Sequence, residues 1–139
     1  MRLWHKDLIP VLPRLQLLGQ WRECCLIAKN IAEKGTPNHL LVNPIMDYPI
    51  EHFITYSWLI FDEMNKRDYN VRAYTFAQHI DGPFMATVPN DELFRVWHNG
   101  RYMTQCLANL EEKHDRGGIT NKEWNTILAY IHVPNRRGL

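Results

Sequence analysis

A Trp-Arg-Glu element, Trp21-Arg22-Glu23, lies in the middle of a long helical pattern. Gln16, Gln20 and Glu23 share one face of that helix, because they are separated by steps of four and three residues. Arg22 flanks the same face. A carboxylate can stabilise a developing positive charge and move protons, and a guanidinium can bind phosphate. These residues are therefore a candidate active site, although a solvated helix surface explains the same pattern and periodicity alone favours that explanation.

The composition is that of an ordinary globular protein. The chain has 139 residues, of which 45% are hydrophobic and 22% are charged, so one domain spanning residues 1–139 is predicted. The net charge is +1, which is not the strongly basic balance of a protein that coats nucleic acid. A local basic patch would still be enough for DNA binding.

The cysteines and the N-terminus bear on the compartment. Cys24, Cys25 and Cys106 follow no disulfide framework, so a reducing compartment and small buried thiols are predicted. No CxxC or HxxxH spacing occurs, and no metal site is predicted. The first residues are too polar for a signal peptide, and no apolar run is long enough to span a bilayer. A cytoplasmic protein without a membrane partner is expected.

Hydrophobic periodicity predicts an all-α, compact single domain of three to four helices, with an N-terminal arm packed near the first helix. Residues 1–13 are predicted to form an extended arm, because Pro10 and Pro13 keep the preceding residues out of the helical region. Residues 68–89 are predicted to be irregular. Thr120 begins a T-x-x-E capping box. The predicted helices span residues 14–34, 50–67, 90–116 and 120–131, with a possible break near residues 99–100 in the third.

The first predicted helix is amphipathic. Its apolar stripe is expected to face the core, and it consists of Leu17, Leu18, Trp21, Cys24, Cys25, Ala28, Ile31 and Ala32. Ile27 is placed on the opposite, polar face, one turn above Glu23.

Four segments carry a resemblance to a known family. "MRLWHKDLIPVLPRLQLLGQWREC" opens the chain, "HLLVN" covers 39–43, "DEMNKRDYNV" covers 62–71 and "NLEEKHDRGG" covers 109–118. Together they resemble the pyrimidine-dimer DNA glycosylase family, the group that includes bacteriophage endonuclease V. The similarity is strongest over residues 1–25 and faintest in the last segment.

The resemblance implies a single all-α domain and a DNA-repair enzyme of the base-excision type. In that family the free N-terminal α-amine attacks the sugar of the damaged nucleotide, displaces the base and forms an imine. The imine then permits β-elimination, so the glycosylase is also an AP lyase acting on duplex DNA. By match to the W-R-E element, Glu23 is the supporting glutamate, and Arg22 contacts phosphate or holds the sugar and Glu23 in place. No metal or organic cofactor is implied.

Two positions depart from the family pattern. The phage enzyme exposes a small residue by losing its initiator methionine, whereas Arg2 follows Met1 here, and a large second residue usually blocks that removal. The nucleophile is therefore expected to be the amine of Met1, or that of Arg2 after processing. Gln16 stands where the family has a histidine upstream of W-R-E. This second departure bears on dimer specificity more than on the imine mechanism.

Further DNA contacts are expected from basic and polar side chains of the arm, the first helix and the following loop, namely Arg2, His5, Arg14, Gln16, Gln20 and His39. Arg14 is a reasonable phosphate ligand and equally an ordinary surface charge. Lys113, Arg116, Arg136 and Arg137 offer a basic rim, although charges near a C-terminus are more often solvated. A monomer is expected.

Other functions fit the same residues. A glycosylase or lyase for abasic sites or another modified base would keep the chemistry and change the substrate. A noncatalytic DNA-binding or protein-interaction module would keep only the fold. A plain helical scaffold would tolerate any change at Glu23.

Overall fold

The computed structural model describes residues 1–81 and 88–132, and within these ranges the chain is helical and contains no strand. The α-helices are α1 (Arg14–Lys34), α2 (Ile50–Lys66), α3 (Tyr74–Ala77), α4 (Gly100–Asp115) and α5 (Asn121–Ile131), and 3-10 helices span Lys6–Val11 and Asn43–Asp47. The predicted all-α class is confirmed. None of the helices in the described ranges is long and apolar enough to cross a lipid bilayer. The proposed basic residues Arg136 and Arg137 lie outside the described residues.

Helix α1 has the bounds that the sequence predicts. It ends at Gly35, whose φ of 74° is left-handed and whose N–H donates to the carbonyl of Ile31 at 2.9 Å. Much of the predicted apolar stripe is buried, including Leu17, Trp21 and Ala28. This stripe anchors the helix to the core.

Helix α2 forms the centre of the molecule, as its apolar sequence predicts. Phe53, Tyr56 and Ile60 are fully buried on it. The Trp21 ring of α1 packs 5.5 Å from Phe61 of α2 and 6.0 Å from Phe76 of α3. Helix α3 was missed by the sequence analysis, because a single helical turn is too short to show a period.

The N-terminal arm is not extended throughout. Residues Lys6–Val11 form a 3-10 helix, and His5 caps it by accepting a hydrogen bond from the Asp7 N–H at 3.1 Å. Proline disfavours a long α-helix but tolerates a short turn with i→i+3 bonds, and Pro10 lies inside this one. The arm also belongs to the core, since Leu3 and Leu8 are fully buried.

Side chains from distant parts of the chain hold the arm in place. Arg67, at the end of α2, donates to the carbonyl of Leu12 at 2.8 Å and to that of Pro10 at 3.2 Å. Tyr102 of α4 donates its hydroxyl proton to the carbonyl of Leu3 at 2.6 Å. The arm is therefore fixed at both ends by hydrogen bonds to its backbone.

The predicted third helix begins later than expected. Residues 90–98 form turns, Phe94 has a left-handed φ of 48°, and α4 starts only at Gly100. The Asn99 side chain caps α4 by accepting from the Tyr102 N–H at 2.9 Å. The break foreseen near residues 99–100 is thus the true start of the helix. The capping box that Thr120 forms with Glu123 at the start of α5 is confirmed.

Candidate active site

The face of α1 that the sequence marks as polar is partly buried, and the N-terminal arm contacts it at Gln20. Gln20 is only 1% exposed and Ile27 is fully buried. The prediction that Ile27 lies on a polar surface was therefore wrong, and the exposed residue beside it is Leu26. Helix α1 is enclosed on two sides, by the apolar core and by the backbone of the arm.

Gln20 joins the arm to α1. Its Oε1 accepts from the Trp4 N–H at 2.7 Å, and its Nε2 donates to the carbonyl of Arg2 at 3.0 Å. The buried hydroxyl of Tyr56 shares its one proton between two acceptors, the carbonyl of Trp4 at 2.6 Å and Gln20 Oε1 at 2.9 Å. Because each partner is inside the protein, this network fixes the position of the arm relative to the helix.

The same amide orients the candidate catalytic carboxylate. Gln20 Nε2 also donates to Glu23 Oε2 at 3.2 Å. One nitrogen atom thus bridges the carbonyl of Arg2 and the carboxylate of Glu23. The half-buried Glu23 side chain is therefore held next to the first residues of the chain.

Met1 and Glu23 line one cleft of about 270 Å³. This volume is close to the lower end of the range for small-molecule sites. The other residues that line the cleft are Arg2, Trp4, Leu41, Asn109 and Lys113. The arm, α1, the turn at residues 39–43 and α4 all contribute to it. The cleft combines an N-terminal residue, a carboxylate and two basic side chains.

Two arginines of the predicted site differ in their surroundings. The guanidinium carbon of Arg2 lies 5.8 Å from the centre of the Trp4 ring and 6.0 Å from that of Tyr102, so the arginine is held against aromatic rings. Arg22 is exposed, and its Nη2 lies 3.9 Å from the position that a Cβ on Gly19 would occupy. Arg22 is therefore available to a ligand at the surface of α1.

Several predicted site residues lie outside this cleft. Arg14 is exposed at the start of α1, with its guanidinium carbon 5.7 Å from the centre of the Tyr69 ring. Gln16 is half-buried, and its Oε1 has no hydrogen-bond partner among residues 1–81 and 88–132. His39 closes the turn at residues 39–43, where its Nδ1 accepts from the Leu41 N–H at 3.2 Å. None of these three residues lines the cleft.

His5 belongs to a buried cluster rather than to the cleft. Its ring centre lies 5.2 Å from that of His98, whose Nδ1 accepts from the Lys6 N–H at 2.9 Å. Burial lowers the pKa of both histidines, and that of His98 falls well below its usual value. Lys6 is also buried, its Nζ donates to the carbonyls of Asn90 and Leu93, and burial lowers its pKa. The cluster keeps neutral imidazoles inside the protein.

The cysteines are poor candidates for a nucleophile. Cys24 and Cys106 are fully buried, and Cys25 is half-buried. Burial raises the pKa of all three thiols, that of Cys25 to about 11. A thiol at a high pKa is rarely ionised and therefore rarely reactive. The predicted role as small buried hydrophobic residues agrees with this burial for Cys24 and Cys106.

Sequence reasoning missed part of the lining of the cleft. Leu41 and Asn109 were not singled out, and Lys113 was considered only as part of a basic rim. Asn109 and Lys113 are four residues apart, so they share one face of α4. Both residues lie in the segment 109–118, which resembles the family, and this was the signal in the sequence that could have identified them. Nothing in the sequence indicates that this face meets the arm.

The described residues form a small all-α protein in which Met1 and the Glu23 side chain of α1 line one cleft. Residues 1–75 match the family model for pyrimidine dimer DNA glycosylase, which is more than half of the chain. The chain therefore belongs to the pyrimidine dimer DNA glycosylase family, and the predicted resemblance is confirmed. Membership identifies a DNA glycosylase with DNA as its substrate. No curated protein and no solved structure matches the chain.

Proposed function

We propose that the protein excises damaged pyrimidines from duplex DNA as a bifunctional glycosylase and AP lyase, with the N-terminal α-amine as the nucleophile. The observation that carries this proposal is that Met1 and Glu23 line one cleft and that Gln20 bridges the arm to the Glu23 carboxylate. The family match covers the arm, α1 and α2, which contain all three of these residues.

The amine of Met1 begins the reaction. Its lone pair attacks the anomeric carbon of the sugar, and the bond between that carbon and the base breaks with its electrons leaving on the base. As a class, α-ammonium groups lose their proton at lower pH than lysine side chains, which makes α-amines the better nucleophiles near neutral pH. The nitrogen then loses one proton, and its lone pair opens the sugar ring as the ring oxygen takes up a proton, which leaves a protonated imine. The departing base takes up a proton from water.

Glu23 acts on the charges and protons of these steps. Its carboxylate stabilises the positive charge that develops on the sugar and accepts the proton released by the amine. The imine acidifies the neighbouring carbon of the sugar, and removal of a proton there expels the 3′ phosphate by β-elimination. Gln20 is a positioning residue, because it fixes the carboxylate and the arm through the same amide nitrogen.

The basic side chains around the cleft position the DNA. Arg2 and Lys113 line the cleft, and Arg22 is exposed on α1 beside Glu23. Each can contact a phosphate on either side of the damaged nucleotide. Such contacts give affinity without reading sequence, which suits an enzyme that must find a lesion in any sequence.

Borohydride trapping tests the proposal. Reduction of the imine leaves a permanent bond between enzyme and DNA, and mass spectrometry locates it. The substrates are an undamaged duplex, an abasic duplex and a duplex with one thymine dimer. We expect an adduct on the amine of the first residue with the dimer duplex, and this result also shows whether Met1 is retained.

Lys113 provides the sharpest control, because its side-chain amine lines the same cleft. Lys113→Gln is expected to trap DNA with the same attachment point as the unaltered protein. An adduct on Lys113 would overturn the assignment of the nucleophile. An adduct on the abasic duplex alone would identify a lyase for abasic sites instead, and no adduct on any duplex would contradict the imine mechanism.

A further inference from the structure

Two adjacent leucines are exposed beside the candidate active site. Leu40 is 84% exposed and Leu41 is 48% exposed. Single exposed leucines are ordinary on protein surfaces. A pair at the tip of one turn, with one of them lining the cleft, is a more specific feature.

The turn that carries these leucines is closed by several hydrogen bonds. The carbonyl of His39 accepts from the Val42 N–H at 3.0 Å and from the Asn43 N–H at 2.9 Å. The Asn43 side chain accepts from the His39 N–H at 3.1 Å, and the fully buried Val42 fixes the turn to the core. Leu40 is therefore exposed to solvent on a turn that hydrogen bonds and the buried Val42 hold in place.

The turn stands between two depressions of the surface. Leu41 lines the cleft of Met1 and Glu23, and both leucines line a neighbouring hollow of about 370 Å³. The hollow also contains the side chain of Trp97 and the exposed Arg101. The two leucines thus lie between the candidate site and a second hollow that is lined by an aromatic and a basic side chain.

We propose that Leu40 is a wedge that enters a base step of duplex DNA next to the lesion. This inference rests on the proposed function, because a glycosylase must displace a nucleotide from the stack before its sugar reaches the amine. An apolar side chain between two bases stabilises the unstacked and kinked duplex. Leu41 continues the apolar surface into the cleft that it lines, and Arg101 contacts the adjacent phosphate.

Paired substitutions at Leu40 test the wedge. Leu40→Gln removes the apolar character at similar size, whereas Leu40→Met keeps it. We expect Leu40→Gln to slow excision of a thymine dimer from duplex DNA by about 10- to 100-fold, because unstacking a base step is costly. We expect Leu40→Met to stay within about twofold, since volume-conserving apolar changes are tolerated best. Leu15→Gln, at an exposed leucine of α1 that lines neither depression, is the matched control and should leave the rate unchanged.

A second substrate separates the wedge from the chemistry. In single-stranded DNA with an abasic site there is no duplex step to open, so borohydride trapping by Leu40→Gln should equal that by the unaltered protein. Equal loss on both substrates, or no loss on duplex DNA, would overturn the wedge. If the unaltered protein traps neither substrate, the proposed function itself fails. Fluorescence of 2-aminopurine beside the lesion should rise on binding of the unaltered protein and rise less with Leu40→Gln.

Discussion

The two enclosed faces of α1 are buried by different means. On one face Leu17, Trp21 and Ala28 pack against the apolar core. On the other, Gln20 pairs with the backbone of the arm and Glu23 points into the cleft. Burial on the first face is favoured by removal of apolar surface from water, and burial on the second requires that each polar group find a partner.

This difference separates stability from chemistry within one helix. The apolar face tolerates a change of side chain in proportion to the volume lost. The polar face depends on direction, because a hydrogen bond is lost when its donor or acceptor moves. Substitutions on the two faces should therefore affect different measurements.

Glu23→Gln should abolish most of the chemistry and leave the fold intact. The new amide oxygen can still accept from Gln20 Nε2, but it cannot take a proton. We expect dimer excision to slow by about 10²- to 10⁴-fold, with a melting temperature close to that of the unaltered protein. Single-turnover rates and thermal melting measure the two quantities. Glu33→Gln, at an exposed position on the same helix, is the control, and an equal loss with it would remove the assignment of Glu23.

Trp21→Ala should lower the stability of the protein and leave the excision rate nearly unchanged. Its ring packs against Phe61 and Phe76, and loss of a large buried aromatic costs about 3–5 kcal/mol in the free energy of unfolding. Urea denaturation measures this loss. At a temperature where the variant remains folded, its single-turnover rate should stay near that of the unaltered protein. A large loss of rate in folded protein would mean that the two faces are not separable.

Gln20→Leu should affect both measurements, because Gln20 belongs to the buried network and also holds Glu23. The buried Trp4 N–H loses its acceptor, so we expect a loss of about 1–3 kcal/mol in unfolding free energy. The excision rate should also fall, with KM changing less than kcat. Tyr56→Phe removes the hydroxyl that lies between the Trp4 carbonyl and Gln20 Oε1 but leaves the hydrogen bond from Gln20 to Glu23, so it should leave the rate nearly unchanged. Stability loss without any loss of rate would contradict the positioning role of Gln20.

The buried histidine that contacts the arm, His98, should make the stability of the protein sensitive to acid. Folding lowers the pKa of His98 from 6.5, so below about pH 6.5 the unfolded chain binds a proton that the folded chain excludes. The contribution of His98 to the free energy of unfolding is therefore fully present above this pH. It falls as the pH decreases, by at most about 1.4 kcal/mol per pH unit for each histidine. His98→Asn keeps an acceptor for the Lys6 N–H and should flatten the dependence between pH 5 and 7. If the unfolding free energy of the variant, measured by urea denaturation, still depends on pH as in the unaltered protein, the acid sensitivity has another source.

Local signals in the sequence predicted much of the fold. The apolar spacing gave the bounds of α1, and the Thr120–Glu123 capping box gave the start of α5. These features depend on neighbours within four residues, so no knowledge of the tertiary fold is needed. The left-handed φ of Phe94 and the late start of α4 were not predicted. Residues 90–98 make contacts with distant parts of the chain, such as the hydrogen bonds from the Phe94 N–H to His52 and from the Trp97 N–H to Tyr48.

The candidate site was only partly predictable. The W-R-E element identified Glu23, but periodicity alone placed Gln20 on a solvated face. That interpretation assumes that the buried face of a helix is apolar. Gln20 can be buried because backbone groups of the arm form hydrogen bonds with its side-chain amide. Asn109 and Lys113 come from a helix more than eighty residues after α1 begins, and only the tertiary fold brings them to the cleft.

The hydrogen bond between the carbonyl of Leu3 and the hydroxyl of Tyr102 joins residues that are 99 positions apart. During synthesis the first residues leave the ribosome long before α4 exists. The arm must then wait without this partner until α4 emerges, and contacts of such long range form late and slowly. The arm can therefore reach its final place only after α4 has formed, so an assembled cleft requires that the arm, α1 and α4 have folded together.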